Sequence, residues 1–259
     1  MAIIQLVLSA LICGILYVRM IRREVPERIG KAQAIVPVAL GIVALILSFL
    51  FFIGLSVVIS KTGFRASELS PVPGSVIGAF FLAGLPEELA KLLMILLTLR
   101  IFRPKIRNAY EVILAGAGVG LGFTLFEEFV YGGDGANFLR LLCLPAHLVF
   151  GIIMARHLAQ SRYDRMRNQG SSAKELLLAV GVPILIHTLY DATNATNKFL
   201  NSEDDQMLLI GLVIAFIGLV MMFVLQILVL VRLKKDTEKY CAMRLISQSS
   251  EVSDTVRGS

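Results

Sequence analysis

The chain has 259 residues, of which 56% are hydrophobic and only 17% charged, and its mean hydropathy is +0.77. A soluble domain of this size has no use for so much apolar surface, so the composition points to a membrane protein and excludes an ordinary soluble enzyme. The net charge of +6 does not indicate nucleic-acid binding, because no basic run is interleaved with base-stacking aromatics.

Seven mostly apolar segments follow one another, each near the roughly 20 residues that cross about 30 Å of hydrocarbon as a helix. They cover approximately 2–18, 35–60, 75–99, 112–131, 138–157, 176–193 and 207–231. The first has no basic stretch ahead of its apolar core and carries Arg19, Arg22 and Arg23 just behind it, which favours an uncleaved anchor over a secretory signal. Segments 19–31, 100–107, 156–174 and 232–244 hold 19 of the 25 Lys and Arg residues. The alternate connections hold few: Lys61 and Arg65, then Arg140, then Lys198. By the positive-inside rule the first set is cytoplasmic, with the N-terminus outside and the C-terminus inside. The expected fold is an all-α, polytopic transmembrane bundle of about seven spans. Residues 1–233 form its helical domain, and 234–259 form a cytoplasmic polar tail expected to fray and become disordered. Cys13 and Cys143 lie within spans and Cys241 in the tail, a placement that suggests neither a disulfide framework nor a zinc ribbon.

The third span contains Glu87 and Glu88, with Lys91 one turn further on and within reach of either carboxylate. A charge near the bilayer centre costs roughly 2.5–3.5 kcal/mol even on lenient scales, so this cluster reads as a functional site. Span four places Phe123, Glu127 and Tyr131 on one face, with Glu128 beside them; span five places Arg140 and His147 on one face; span six adds His187 and Asp191. Counted inward at 1.5 Å per residue from the outer span ends, Glu127 lies about 8 Å deep, His187 about 10 Å, His147 about 13 Å and Glu87 about 15 Å. All four share the outer half of the membrane. Pro86, Pro145 and Pro183 sit beside three of these clusters, and helix breaks of that kind are tolerated where a hydrated cavity re-satisfies the backbone. Gly116, Gly118, Gly120 and Gly122 form two overlapping Gly-x-x-x-Gly pairs that admit close helix packing.

Carboxylates and imidazoles in a wet intramembrane pocket suit peptide-bond hydrolysis, with a glutamate activating water and a histidine or metal stabilising the oxyanion. Two histidines with nearby carboxylates could equally hold zinc, through His147, His187 and Glu127, although no His-Glu-x-x-His helix is present. Two other classes stay open at this point: a proton-coupled secondary transporter, for which the inverted repeat is lacking, and a non-proteolytic membrane scaffold.

The order Glu87-Glu88-Leu89-Ala90-Lys91, then Gly120 to Tyr131, then Pro145-Ala146-His147, then His187-Thr188-Leu189-Tyr190-Asp191 resembles the PrsW family of intramembrane proteases over roughly 84–194. That family is distantly related to the CAAX prenyl endopeptidases and the Abi proteins. The resemblance implies a multi-pass protein of the bacterial plasma membrane that cleaves a membrane-anchored substrate, such as an anti-sigma-factor-like regulator. It implies catalytic roles for Glu87, Glu88, Glu127, His147 and His187; the reading of the spans adds Lys91, Glu128, Arg140 and Asp191 in support. Glu128 departs from the family pattern, which usually has Asn at that position.

Overall fold

The computed structural model describes residues 2–23, 29–65, 68–131 and 143–245. Among them the chain is helical and forms no strand; one isolated bridge joins Asn108 to Arg244. In chain order the helices are α1 (Ala2–Arg22), α2 (Lys31–Lys61), α3 (Pro71–Ala79), α4 (Leu85–Ile101), α5 (Ala109–Tyr131), α6 (Ala146–Arg167), α7 (Ser172–Thr193), α8 (Asp205–Lys235) and α9 (Thr237–Ala242). A π-helical turn, Phe80–Gly84, joins α3 to α4.

α1, α2, α5, α7 and α8 are each long and apolar enough to cross a membrane. The outer surface is apolar, as a bilayer requires, and the polar residues within the helices are buried in a largely apolar core. Leu50 and Val58 on α2 and Leu209, Phe216 and Leu228 on α8 are exposed, whereas Gln5, Ser48, Glu88, Lys91, Glu128, His147 and His187 are buried. The protein is an integral, multi-pass membrane protein.

The third and fifth expected spans differ from the sequence-based boundaries. The third is one rod interrupted by the π turn, because Pro86 has no N–H to donate to the turn before it and the chain widens there to i→i+5 bonding, with Leu85 N donating to Phe80 O. The fifth, expected over 138–157, becomes a helix that starts only at Ala146 and runs on to Arg167. Pro145 is therefore its N-cap residue, where a missing N–H is harmless, and not a break within a span. His147 consequently lies in the first turn of α6.

α5 is the central rod, packed by α1, α2, α4 and α6. Its four glycines serve two faces. A Cβ at Gly116 or Gly120 would collide with the backbone of α6 at Gly151 and His147, and one at Gly122 with Val38 of α2. Pairs four apart share a face, so Gly116 and Gly120 admit α6 while Gly118 and Gly122 admit α1 and α2. The contact of Gly120 with the His147 carbonyl fixes where α6 enters the core.

The basic segments gather at one end of the bundle. There Tyr110 Oη donates to Met20 O at 3.0 Å, Arg162 Nη2 to Leu245 O at 3.2 Å and Leu245 N to Arg107 O at 2.7 Å. At the opposite end Thr196 Oγ1 donates to Ser75 O at 2.8 Å and Lys198 Nζ to Leu69 O at 3.0 Å. The start of the tail, expected to fray from Lys234, is folded: α8 continues to Lys235, α9 packs on α5, and Tyr240, Cys241 and Leu245 are buried. With Met243, these buried apolar side chains hold down a segment whose composition is polar. Cys13, Cys143 and Cys241 are buried, and none of them forms a disulfide.

Candidate active site

Two local features bring α4 against α7. Gly84, the last residue of the π turn, lies so close to Thr188 that a Cβ there would overlap the threonine hydroxyl. Thr188 follows His187 directly, so this contact sets Glu87 and Glu88, at the start of α4, beside the histidine. The close packing of Gly120 on α6 does the same for His147 and Glu127.

Lys91 is the centre of the resulting cluster and is fully buried. Its ammonium donates to Glu88 Oε1 at 2.7 Å, to His147 Nδ1 at 2.8 Å and, more weakly, to Glu87 Oε2 at 3.4 Å. It also lies 3.9 Å from the centroid of the Phe123 ring, a cation–π contact that supplements the hydrogen bonds. An ammonium only donates, so His147 Nδ1 accepts, and the proton of that imidazole sits on Nε2, 2.8 Å from Glu127 Oε2. His187 is held the other way round. Its Nδ1 donates to Glu88 Oε1 at 2.7 Å, leaving Nε2 at 3.5 Å from Asp191 Oδ2 and 3.9 Å from Glu87 Oε2. Glu88, and not Asp191, sets the tautomer of His187.

The two adjacent glutamates have different surroundings. Glu88 is sealed, and its Oε2 is buried with no hydrogen-bond partner. Glu87 keeps 18% of its side chain exposed and lines a cavity of about 210 Å³ together with Leu45, Ser48, Phe49, Phe52 and Leu82. Among the described residues, Glu87, Glu88, His147 and His187 form a group whose ligand-type atoms all lie within 4.8 Å of one another.

The family model described as "PrsW family intramembrane metalloprotease" matches residues 36–229. The chain belongs to the PrsW family. It is 30% identical over 118 residues to Protease PrsW of Halalkalibacterium halodurans, covering 44% of this chain and 53% of that protein. It is 32% identical over 148 residues to Protease PrsW of Shouchella clausii, covering 55% and 66%, and 30% identical over 122 residues to Protease PrsW of Bacillus subtilis, covering 46% and 54%. The matches thus span about half to two thirds of these curated relatives. No solved structure matches the chain significantly.

The PrsW family description names a metal, and the donor set suits one. Glu88 Oε2 is a buried carboxylate oxygen without a partner, and His187 Nε2 and Glu87 Oε2 are close by without short bonds to each other. His147 fits less directly, since Lys91 and Glu127 engage both of its nitrogens. The sequence-based metal set of His147, His187 and Glu127 differs from the group found here, because Glu127 lies on the far nitrogen of His147 and the two glutamates of α4 take its place.

The helices α4, α5, α6 and α7 bring together Glu87, Glu88, Lys91, Glu127, His147, His187 and Asp191. Arg140 lies outside the described residues. Glu128 faces α1 instead, where Gln5 Nε2 donates to its Oε2 at 2.7 Å. Gln5 carries no role in the sequence-based set, although a lone amide in an apolar helix was the available signal. Phe150 also joins the site, with its ring centroid 5.3 Å from that of His187. His157, given no role from the sequence, pairs with Glu175 of α7 at 2.7 Å, away from the cluster.

Proposed function

We propose that this protein is an intramembrane endopeptidase that hydrolyses a peptide bond in a membrane-anchored protein. The observation that carries the reading is the contrast within the glutamate pair: Glu88 is locked between Lys91 and His187, while its neighbour Glu87 faces a cavity. Glu87 is positioned to take a proton from a water in that cavity. The hydroxide then adds to the scissile carbonyl carbon, the C–N bond breaks, and the proton passes from Glu87 to the leaving amine. Lys91 holds the Glu87 carboxylate in place, and His187, whose proton is on Nδ1, turns its Nε2 lone pair toward the same pocket. Glu88 orients both Lys91 and His187, and Glu127 keeps His147 in the tautomer that accepts from Lys91.

Glu88 and His187 would hold a zinc ion in this site, leaving Glu87 as the base, and a bound ion would supply the Lewis acidity that activates water and polarises a carbonyl. The polar layer belongs to the outer half of a bacterial plasma membrane, with seven crossings, the N-terminus outside and the basic end in the cytoplasm.

The test is co-expression with a panel of tagged single-span membrane proteins. Glu87→Gln, Glu88→Gln and His187→Ala should each lower processing by at least 10²-fold, the scale of a lost acid–base group. Processing at the wild-type rate by Glu88→Gln and His187→Ala would overturn the assignment. Metal content of the detergent-purified protein, with chelator titrated in parallel, should give close to one zinc per chain in the wild type and a clear deficit in His187→Ala.

A further inference from the structure

We infer that the cleft between α2 and the rod formed by α3, the π turn and α4 is the substrate channel, and that it takes an extended stretch of about five residues of a membrane-anchored protein rather than a helix. This rests on the proteolytic reading above. Two cavities line the cleft. The one at Glu87 is about 210 Å³; a second, of about 630 Å³, reaches Ser60 and Phe64, at the end of α2 remote from the basic segments. Phe52 and Leu82 border both, so the two adjoin along α2, one at the end of the helix and the other at the exposed edge of the catalytic cluster.

Dimensions select the conformation of the occupant. From Ser48 to Ser60 the path follows α2 for about 18 Å, which an extended chain covers in about five residues at roughly 3.3 Å each. A helix is about 10–12 Å across with its side chains and keeps its carbonyls bonded along its own axis, so it offers no free backbone to Glu87. A helical span must unwind to present its backbone to Glu87.

An unwound chain in a membrane needs partners for its backbone. Ser48 of α2 lines the cavity at Glu87, and Ser56 and Ser60, one turn apart, line the larger one. Ser48 and Ser60 give their hydroxyl protons to Leu45 O and Val57 O, at 2.7 Å and 2.8 Å, so their oxygens remain acceptors for substrate N–H groups. On the other wall Pro86 leaves the π turn short of one donor, which frees acceptor capacity beside Phe81 and Leu82. The break in α4 thus has a use beyond placing the glutamates.

The experiment places a photo-crosslinking residue, p-benzoylphenylalanine, at Ser56 or Leu82, and as controls at Leu212 or Phe216 on the exposed face of α8. The probe is a tagged single-span protein from the panel, made in two versions with Leu-Leu or Gly-Gly at the outer end of its span. Capture should be at least tenfold stronger at the cleft positions than on α8. The Gly-Gly version should be processed roughly tenfold faster, since glycine lowers the cost of unwinding. Ser56→Trp, which narrows the path at an exposed position, should cut processing at least tenfold without altering the thermal melt. Equal capture on α8, or equal rates for the two probes, overturns the channel. If capture in the cleft fails while Glu88→Gln and His187→Ala still abolish processing, the channel alone is wrong. If those variants process normally, or if the wild type processes no panel member, the catalytic reading falls and the channel with it.

Discussion

Lys91 has no water to turn to, and its charge is tolerable only because of what surrounds it. Glu88 and His147 lie within 2.8 Å and Phe123 presents its face. The pair Lys91–Glu88 is fully buried on both sides, so removing one partner strands the other. Lys91→Met should therefore cost about 3–5 kcal/mol of stability, the scale for leaving an uncompensated buried charge. Glu88→Gln in the Lys91→Met background removes the stranded charge and should recover much of that loss. Unfolding in detergent micelles, followed for the wild type, the two single variants and the double variant, measures the coupling. Additive losses in the double variant would contradict the pairing.

Between elements, stability depends on how near two backbones come. Gly120 against His147 is both a packing contact and the device that sets the depth of the histidine. Gly120→Ala should destabilise the bundle by about 1–3 kcal/mol, the cost of overpacking, and should lower processing as His147 shifts off Lys91. Gly54 on α2 has nothing within 4 Å of where a Cβ would stand, so Gly54→Ala should be neutral or slightly stabilising in the same melts. The sequence made the helical fold and the polar members of the site readable, because each helix face is written at i, i+3 and i+4, and counting residues inward placed Glu87, Glu127, His147 and His187 in one layer. Which carboxylate meets which imidazole was not readable. That depends on how far each rod is rotated and where it begins, and α6 begins eight residues later than its hydropathy suggests. Nor could the sequence separate Glu87 from Glu88: adjacent residues point about 100° apart on a helix, and only the packing of α2 and α7 decides which one keeps an opening. The docking of α9 was hidden for a similar reason, since Tyr240, Cys241 and Leu245 are few among polar neighbours and become a core patch only against α5.

At the scale of the molecule the two ends differ in kind. One gathers Met20, Lys105, Arg107, Arg162 and Leu245 through direct hydrogen bonds or short sequence links, and the other gathers Leu69, Ser75, Thr196 and Lys198. Successive rods alternate between these ends if α3, the π turn and α4 count as one. Gln5 reaches Glu128 near the site end of the bundle, so α1 starts there and finishes at the basic end. If all the rods cross the bilayer, the two termini of the chain lie on opposite sides, and the positive-inside rule assigns the basic end to the cytoplasm. Alkaline phosphatase fused after Gly63 or Ser202 should then be active, since it is exported, whereas fusions after Pro104 or Gly170 should be inactive. The fusion after Gly170 is the discriminating one. It follows α6, which carries Arg156, Arg162, Arg165 and Arg167 toward its C-terminal end, and an active reporter there would mean that α6 does not cross to the cytoplasmic side.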